Sequence, residues 1–227
     1  MTVLDVATAY RLWAPTYSAE NAVSLIEDGL VRRLTPALAD KRLLDVGCGT
    51  GRRLATAKAE RATGVDQSLE MLAVARSVCG ESATLVHGDL LALPLPDATA
   101  EVTWCRLVIG HVADLQRAYD ELARVTAPGG SVIVTDFHPD ADAAGHRRTF
   151  RAAGETHEVE HYRHSIDSHL AAAAAAGLRI KAVRHGAIGD DVEHFYVAAG
   201  RGASFERDAG LNVVLALQFR RSGPCAR

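Results

Sequence analysis

Apolar residues recur along the chain at two spacings, and together these predict an ordered series of strands and helices. From residue 42 onward, short apolar runs typical of buried strands alternate with segments of helical periodicity. The predicted strands are 42–47, 61–66, 83–87, 101–106 and 130–136. One helix is predicted to begin near residue 51, and two more are predicted at 68–78 and 112–126. Such alternation predicts a parallel sheet that is covered by helices on both faces.

The segments on either side of this series have different patterns. Apolar residues at helical spacing predict an N-terminal helix over 20–34. Residues 148–151 and 156–164 flank a glycine-containing turn and predict a hairpin of two short strands. The remaining predicted elements are an alanine-rich surface helix at 171–176, ended by Gly177, and strands at about 178–185 and 212–220.

Length and composition fit a single globular domain. The chain has 227 residues, of which 48% are hydrophobic and 23% charged, enough for one continuous α/β core. No apolar window is long enough to span a membrane, and we expect no signal segment and no membrane partner. Four cysteines without paired spacing predict a reduced, cytoplasmic setting.

Charge is distributed along the chain. The formal net charge is −3, and the Lys and Arg residues are scattered. Because nucleic-acid binding depends on clustered positive charge, we expect no nucleic-acid partner. One local patch, formed by Arg147, Arg148 and Arg151, is interpreted as an arginine face exposed to solvent.

The clearest chemical signal is the turn after the first strand of the series. Leu43–Val46 run directly into Gly47, Gly49 and Gly51, and Asp66 ends the next strand. Glycines at such a turn accept positive φ angles and let a ligand approach the backbone closely. An acidic residue at the end of the second strand can accept hydrogen bonds from both hydroxyls of a ribose. The pattern therefore predicts a site for an adenosine derivative.

The spacing of the glycines discriminates between such cofactors. Dinucleotide-binding loops have the pattern G-x-G-x-x-G, whereas here the third glycine comes one residue earlier and Arg52 stands where the last glycine belongs. The order D-h-G-x-G-x-G at 45–51, where h is apolar, resembles the first motif of the class I S-adenosylmethionine-dependent methyltransferases. Three further segments resemble that family in the same order: ATGVDQS at 62–68, VHGDLLALPLPD at 86–97 and LARVTAPGGSVIVTDF at 122–137.

The resemblance implies a fold, a cofactor and a set of contacts. The fold is a Rossmann-like, doubly wound α/β sheet of seven strands, mostly parallel, with one antiparallel strand near the C-terminus. The cofactor is S-adenosyl-L-methionine, with Asp66 and Gln67 at the ribose and Asp89 and Leu90 at the adenine. The other cofactor-binding residues of the predicted set are Tyr10, Asp45, Gly47, Gly49, Gly51, Arg52 and Arg106.

Three residues are candidates for catalysis. His111 follows the fourth strand, where it could accept a proton or pack beside the cofactor. His138 could pair with Asp136 and point into the substrate pocket, or it could be held by the proline that follows it. Tyr17 ends the aromatic segment 10–17, which resembles the family's active-site wall, although core packing explains the tryptophan of that segment equally well.

A histidine-rich segment could bind a divalent metal. On a helix, His157, His161 and His164 would share one face, whereas on a strand His164 falls on the face opposite the other two. Because the segment is predicted as a strand, we expect substrate contacts or a polar, solvated hairpin, and no metal site.

The chain is interpreted as one domain over 1–220 with a tail at 221–227. Its predicted parts are a helical cap at 1–40, a cofactor-binding core at 41–137, a substrate-side hairpin at 138–165 and the completion of the sheet at 166–220.

The family resemblance implies methyl transfer to an oxygen, nitrogen or carbon atom of a small molecule, natural-product or quinone-like, by a monomer or homodimer. Two alternative functions are also considered. One is an oxidoreductase that depends on NAD(P), which Arg52 and the match at Asp89 disfavour. The other is a cofactor-binding regulator without catalytic activity.

Overall fold

Residues 2–223 are described by a computed structural model, in which they form ten strands and eight helices. The strands are β1 (Thr2–Leu4), β2 (Arg42–Val46), β3 (Arg61–Asp66), β4 (Thr84–His87), β5 (Ala100–Arg106), β6 (Thr126–Phe137), β7 (Thr149–Ala152), β8 (Glu155–Val159), β9 (Leu178–Ala187) and β10 (Asn212–Arg221). The helices are α1 (Val6–Trp13), α2 (Ala22–Leu34), α3 (Leu69–Cys79), α4 (Leu115–Val125), α5 (Pro139–Ala143), α6 (Ile166–Ala175), α7 (Glu193–Ala198) and α8 (Gly202–Asp208). Residues 224–227 of the predicted tail lie outside the described part.

Seven of the strands form one sheet in the order β4-β3-β2-β5-β6-β10-β9. The strands from β4 to β6 in this order pair in parallel, while β10 is antiparallel to both of its neighbours. The order reverses between β2 and β5, so the carboxyl ends of these two strands flank the crevice where such sheets bind ligands. The predicted seven-stranded, mostly parallel sheet with one antiparallel strand near the C-terminus is confirmed.

Side chains of the central strands alternate between two cores, as burial on both faces of a sheet requires. In β6, Val132 and Val134 belong to the core that includes residues of α4 and α6, whereas Ile133 belongs to the core that includes residues of α2. Leu215 and Val214 of β10 divide between the two cores in the same way. Different helices therefore cover the two faces.

A second, three-stranded sheet joins the start of the chain to the predicted hairpin. β7 and β8 pair antiparallel, and β1 adds in parallel to β8 with Thr2 opposite His157. The helix α1 packs against this sheet, where Ala9, Phe150 and Val159 are buried together. The hairpin prediction is confirmed, whereas the strand at the N-terminus is not predicted by the hydrophobic pattern.

The helix predicted from about residue 51 is wrong. Residues 52–56 form only turns, with the Ala55 amide donating to the Gly51 carbonyl over 2.8 Å. The glycine turn takes up residues 47–51 of the connection between β2 and β3, so only 52–60 remain for a helix and the return to the sheet.

The strand predicted to continue to His164 ends at Val159. The Glu160 amide donates to the Leu4 carbonyl over 2.9 Å, and the Tyr162 amide donates to the Gly110 carbonyl over 2.7 Å. These bonds lead the chain away from the hairpin and toward the connection between β5 and α4. His161 and His164 therefore lie outside the strand.

The alanine-rich segment forms α6, which lies at the surface as predicted, with one buried face. Ala172 and Ala173 are buried in the core that also contains α4, while Ala171 and Ala174 are exposed. Gly177, just beyond the helix, has a φ of 78°, a conformation that glycine adopts readily after a helix.

Candidate active site

The glycine turn at the end of β2 forms the base of the site. Gly47, Gly49 and Gly51 have φ angles of 73°, 53° and 70°, all in the left-handed region. The amides of Gly47 and Cys48 both donate to the Val65 carbonyl, over 2.7 and 3.0 Å, which ties the turn to β3. A Cβ atom on Gly47 would come within 2.1 Å of a methyl group of the Val108 side chain. Conformation and space therefore both require glycine at this position.

A cavity of about 220 Å³ opens above this turn, at the carboxyl ends of β2 and β3. Asp66 lines it, and its carboxylate accepts from the Gly49 amide over 2.7 Å and from the Ser68 amide over 2.8 Å. Burial raises the pKa of Asp66, while the two amides oppose that rise. Each carboxylate oxygen has a second lone pair, so Asp66 can still accept from a ligand hydroxyl.

The far end of the cavity fits a purine. Asp89 and Leu90 both line it, and the Asp89 carboxylate accepts from the Leu91 amide over 2.9 Å. Within residues 2–223, the Leu90 amide has no acceptor, so it is free to donate to a ring nitrogen. With Asp66 and Gln67 also at the wall, the residues present fit an adenosine with a free ribose.

Three aromatic residues form a wall between this cavity and a second one. Tyr10 and Tyr17 line the first cavity, and Trp13 and Tyr17 line the second. The ring centroids of Trp13 and Tyr17 are 4.9 Å apart in an edge arrangement, and Trp13 stacks on Phe150 of β7 at 4.9 Å. The wall is therefore anchored to the small sheet, and Tyr17 faces both cavities.

His111 lies in a hydrogen-bonded chain that crosses this wall. Its Nδ1 is 3.0 Å from the Glu160 carbonyl, its Nε2 is 2.8 Å from the Tyr10 hydroxyl, and Arg148 donates to that hydroxyl over 2.8 Å. A carbonyl only accepts, so Nδ1 carries the hydrogen and Nε2 accepts from Tyr10. The hydrogen bonds therefore define one tautomer of His111 and one direction of donation.

Burial and the charge of Arg148 lower the pKa of His111 to about 3. Burial also raises the pKa of Tyr10, so the phenol keeps its proton. At neutral pH these hydrogen-bonded groups are thus a neutral imidazole, a neutral phenol and a charged guanidinium. Such an imidazole is a weak base, and its geometry favours packing and orientation over proton removal.

Asp45 lies just before the glycine turn without lining the first cavity. Its side chain is buried, and its Oδ1 has no hydrogen-bond partner within the described residues. Burial raises the pKa of Asp45 to about 7, against the opposing charge of Arg106. An unpartnered carboxyl at this depth costs stability whenever it is ionised.

Three other residues of the predicted set are not brought to the first cavity. Arg106 is buried in an ion pair with Glu27, 3.0 Å between Nε and Oε1, because an unpaired guanidinium cannot remain at the sheet interior. Arg52 donates to Glu20 over 3.2 Å and lines the second cavity instead. Gly51 packs against α3, where its Cβ position is 2.6 Å from a cysteine sulfur.

His138 does not form the predicted pair with Asp136. Its Nε2 is 2.9 Å from Nδ1 of His185, and its Nδ1 accepts from the Asp140 amide over 3.0 Å at the start of α5. Its geometry matches the second interpretation of His138, as a residue held beside the proline. It lines neither of the cavities on either side of the aromatic wall.

Asp136 instead contacts histidines from later in the chain. His169 lies 3.2 Å from one carboxylate oxygen and His161 3.9 Å from the other, and both interactions lower the pKa of Asp136. His164 bonds the Val112 carbonyl. No group of three or more His, Cys, Asp or Glu residues within 2–223 has a geometry that could hold a metal ion.

The second cavity, of about 700 Å³, contains residues that the sequence analysis did not assign to a site. Arg148, interpreted as part of a solvent-exposed face, lines it and is half buried. Leu107 lines it too, with a φ of 55° that is unusual for a branched residue. The predicted substrate-side hairpin at 138–165 indicated this region, but no local pattern distinguished Arg148 from the adjacent arginines at 147 and 151.

A doubly wound sheet with an adenosine-type cavity at its switch point defines a Rossmann-like cofactor-binding protein. The family model of the methyltransferase domain matches residues 44–134, which carry the glycine turn, Asp66 and Asp89. The chain is 33% identical over 179 residues to a malonyl-[acyl-carrier protein] O-methyltransferase of Enterobacter lignolyticus, covering 77% of this chain and 68% of that protein. The chain belongs to the S-adenosylmethionine-dependent methyltransferase family.

Further similarities agree with this assignment. The 27-O-demethylrifamycin SV methyltransferase of Amycolatopsis mediterranei is 28% identical over 230 residues, covering 86% of this chain and 83% of that protein. A solved S-adenosylmethionine-dependent methyltransferase of Mesorhizobium loti has a TM-score of 0.67 at 24% identity, covering 86% and 98% of the two chains. The chain spans about half the length of several other curated relatives that it matches.

None of the described helices combines the length and the apolar character needed to cross a lipid bilayer.

The steric argument at Gly47 predicts a large loss of stability on Gly47→Ala. The added Cβ meets Val108 and must also adopt a positive φ, so we expect the free energy of unfolding to fall by about 2–5 kcal/mol. Gly177→Ala is the control, because its φ is also positive but no atom lies within 4 Å of the Cβ position. It should cost about 1–2 kcal/mol in the same urea titration. Equal losses would show that the contact with Val108 is relieved at no cost.

The raised pKa of Asp45 predicts a pH dependence of stability. Between the unfolded value of 3.8 and the folded value of about 7, the folded state holds the proton more tightly, so stability falls as pH rises. Above pH 7 the penalty is complete, on the order of 4 kcal/mol at about 1.4 kcal/mol per pKa unit. Asp45→Asn removes this penalty. In urea titrations without cofactor, the free energy of unfolding of the variant should therefore rise relative to that of the parent from pH 4 to 8. Parallel profiles would contradict the buried, unpartnered carboxyl.

Proposed function

We propose that the chain transfers a methyl group from S-adenosylmethionine to an oxygen, nitrogen or carbon atom of a small-molecule acceptor. The observation that carries this proposal is the pair of cavities that share Tyr17. One fits an adenosine through Asp66 and Asp89, and the other has room for an acceptor beside the aromatic wall. Membership of the family and the small-molecule names of relatives support it.

When bound, S-adenosylmethionine supplies a methyl group on a positively charged sulfur. The chain's own residues bind and orient the two reactants. Asp66 and Gln67, which line the first cavity, would accept hydrogen bonds from the ribose, and Asp89 with the Leu90 amide would frame the adenine. Tyr10 and Tyr17 close the cavity toward the acceptor and exclude water from the space between the two sites.

The arrangement favours catalysis by alignment. Methyl transfer is an in-line displacement, and holding the reactants in line accounts for much of the acceleration that an enzyme can give. His111 and Tyr10 each keep their proton state at neutral pH, as their pKa shifts indicate. We propose that His111 orients Tyr10 rather than removing a proton from the acceptor.

Three finer points belong to the same proposal. Natural-product and quinone-like acceptors are supported by the names of relatives alone, and a monomer or homodimer remains a prediction. The cytoplasm remains the predicted location, supported by the free thiols of Cys48, Cys79 and Cys105. Membership of the methyltransferase family argues against the NAD(P)-dependent alternative.

A transfer experiment tests the function. The protein is incubated with S-adenosylmethionine labelled on the methyl group and with a fractionated small-molecule extract, and products are identified by mass spectrometry. A labelled small molecule is expected. A protein that binds the cofactor and labels no fraction would instead match the non-catalytic regulator.

The ribose assignment predicts that Asp66→Ala weakens binding of S-adenosylhomocysteine, measured by calorimetry, by about 1.5–3 kcal/mol, the scale of a charged hydrogen bond. Asp66→Asn keeps the size of the side chain and one acceptor oxygen, so it should lose less affinity for S-adenosylhomocysteine than Asp66→Ala does. Asp167→Ala, an exposed acid at the start of α6, is the control and should bind as the parent does. Unchanged affinity in a folded Asp66→Ala variant would show that the ribose lies elsewhere.

The positioning role predicts that His111→Gln lowers the turnover number by less than about 100-fold, without moving the pH profile between 6 and 9. Tyr10→Phe removes the hydroxyl that donates to His111, so it should lower the turnover number by a similar factor. A general base would instead give a loss of about 100- to 10,000-fold together with the disappearance of the acidic limb of the profile. Thermal unfolding of both variants provides the check on folding.

A further inference from the structure

The second cavity has an unbalanced charge. Five arginines line it, and none of its lining residues within 2–223 is an aspartate or glutamate. The arginines are Arg52, Arg147, Arg148, Arg201 and Arg207. Clefts lined by one sign of charge attract ligands of the other sign, because low-dielectric walls concentrate the field.

Three of these arginines form ion pairs with carboxylates that lie outside the lining. Arg52 pairs with Glu20 at 3.2 Å, and Arg147 pairs with Asp142 at 3.2 Å. Arg207 pairs with Asp208, its neighbour in sequence, at 2.8 Å. Ion pairs of this kind hold side chains in place and leave little attraction for a ligand.

Arg148 and Arg201 have no such partner. Within the described residues, neither guanidinium lies within 4.0 Å of a carboxylate. Arg201 is exposed and precedes α8. Arg148 is half buried, its Nη2 donates to Tyr10, and its Nε is buried without an acceptor. A guanidinium that is partly removed from water without an anion is costly, and a bound anion would offset that cost.

The position of Arg148 links this charge to the site of methyl transfer. Its hydrogen bond to Tyr10 reaches the wall of the first cavity, and Tyr17, on the same wall, faces both cavities. Arg148 also precedes β7, and its carbonyl accepts from the Val159 amide over 2.9 Å. The backbone of the hairpin therefore fixes the main chain of Arg148, and the Tyr10 hydroxyl orients its guanidinium at the second cavity.

We propose that the second cavity recognises an anionic group of the acceptor, a carboxylate or a phosphate, through Arg148 with Arg201 as a second contact. The planar guanidinium matches either group through paired hydrogen bonds. This inference rests on the proposed methyl-transfer function, since it assigns the charge of the acceptor. It adds a substrate class and two binding residues to that function.

Calorimetry at constant ionic strength tests the proposal, with the protein saturated with S-adenosylhomocysteine and titrated with malonate or with inorganic phosphate. We expect the parent to bind at least one of the two anions. Arg148→Gln should weaken that binding roughly 10- to 150-fold, the equivalent of one charged hydrogen bond. Arg201→Gln, at an exposed position that cannot disturb the core, should weaken it in the same direction. Arg148→Lys keeps the charge and should retain part of the affinity.

Arg151→Gln is the matched control, because Arg151 lies on β7, the strand that Arg148 precedes, is exposed and lines neither cavity beside the wall. It should bind the anion within about twofold of the parent, as expected for a solvated surface charge. Thermal unfolding of each variant shows whether it is folded.

The outcomes separate this inference from the proposed function. Binding of malonate alone would indicate a carboxylate on the acceptor, and binding of phosphate alone would indicate a phosphorylated one. The proposal is overturned if the parent binds neither anion, if Arg151→Gln loses as much as Arg148→Gln, or if Arg148→Gln weakens only S-adenosylhomocysteine. Failure of the proposed function would appear separately, as absent cofactor binding or absent label transfer.

Discussion

The hydrogen bond from the Gly49 amide to the Asp66 carboxylate is the contact on which the rest of the site depends. It joins the turn after β2 to the end of β3, and the backbone bonds to Val65 reinforce the same junction. The turn follows this path because its three glycines occupy the left-handed region, and a Cβ atom at Gly47 or Gly51 would collide with Val108 or with α3. The Asp66 carboxylate therefore both shapes the turn and lines the first cavity.

The aromatic wall has a comparable double role on the other side of the cavity. Tyr10 receives a hydrogen bond from Arg148 and gives one to His111, so a charge at the second cavity is connected to a neutral imidazole at the first cavity. Burial keeps both Tyr10 and His111 in one protonation state near neutral pH. The network is thus suited to holding geometry rather than to moving protons, which agrees with the proposed catalysis by alignment.

Local patterns predicted the large sheet and much of the first cavity, because period and glycine spacing act over a few residues. Asp66, Asp89 and Leu90 line the cavity as expected from their positions after strands. Arg106 does not line the cavity, because it ends β5 and pairs with Glu27 of α2, and no local pattern indicates that pairing. Arg148 looked solvated for the same reason: its burial depends on Tyr10, which is remote in sequence.

The parallel pairing of β1 with β8 ties the first described residues of the chain to the hairpin that begins beside the second cavity. A three-residue strand contributes few hydrogen bonds, and its partner lies far along the sequence, so this sheet is expected to form late and to open before the main sheet unfolds. Opening would release α1 and the hairpin together, since Trp13 stacks on Phe150. Hydrogen exchange in these segments would then rise as one unit, while the glycine turn between β2 and β3 keeps its protection.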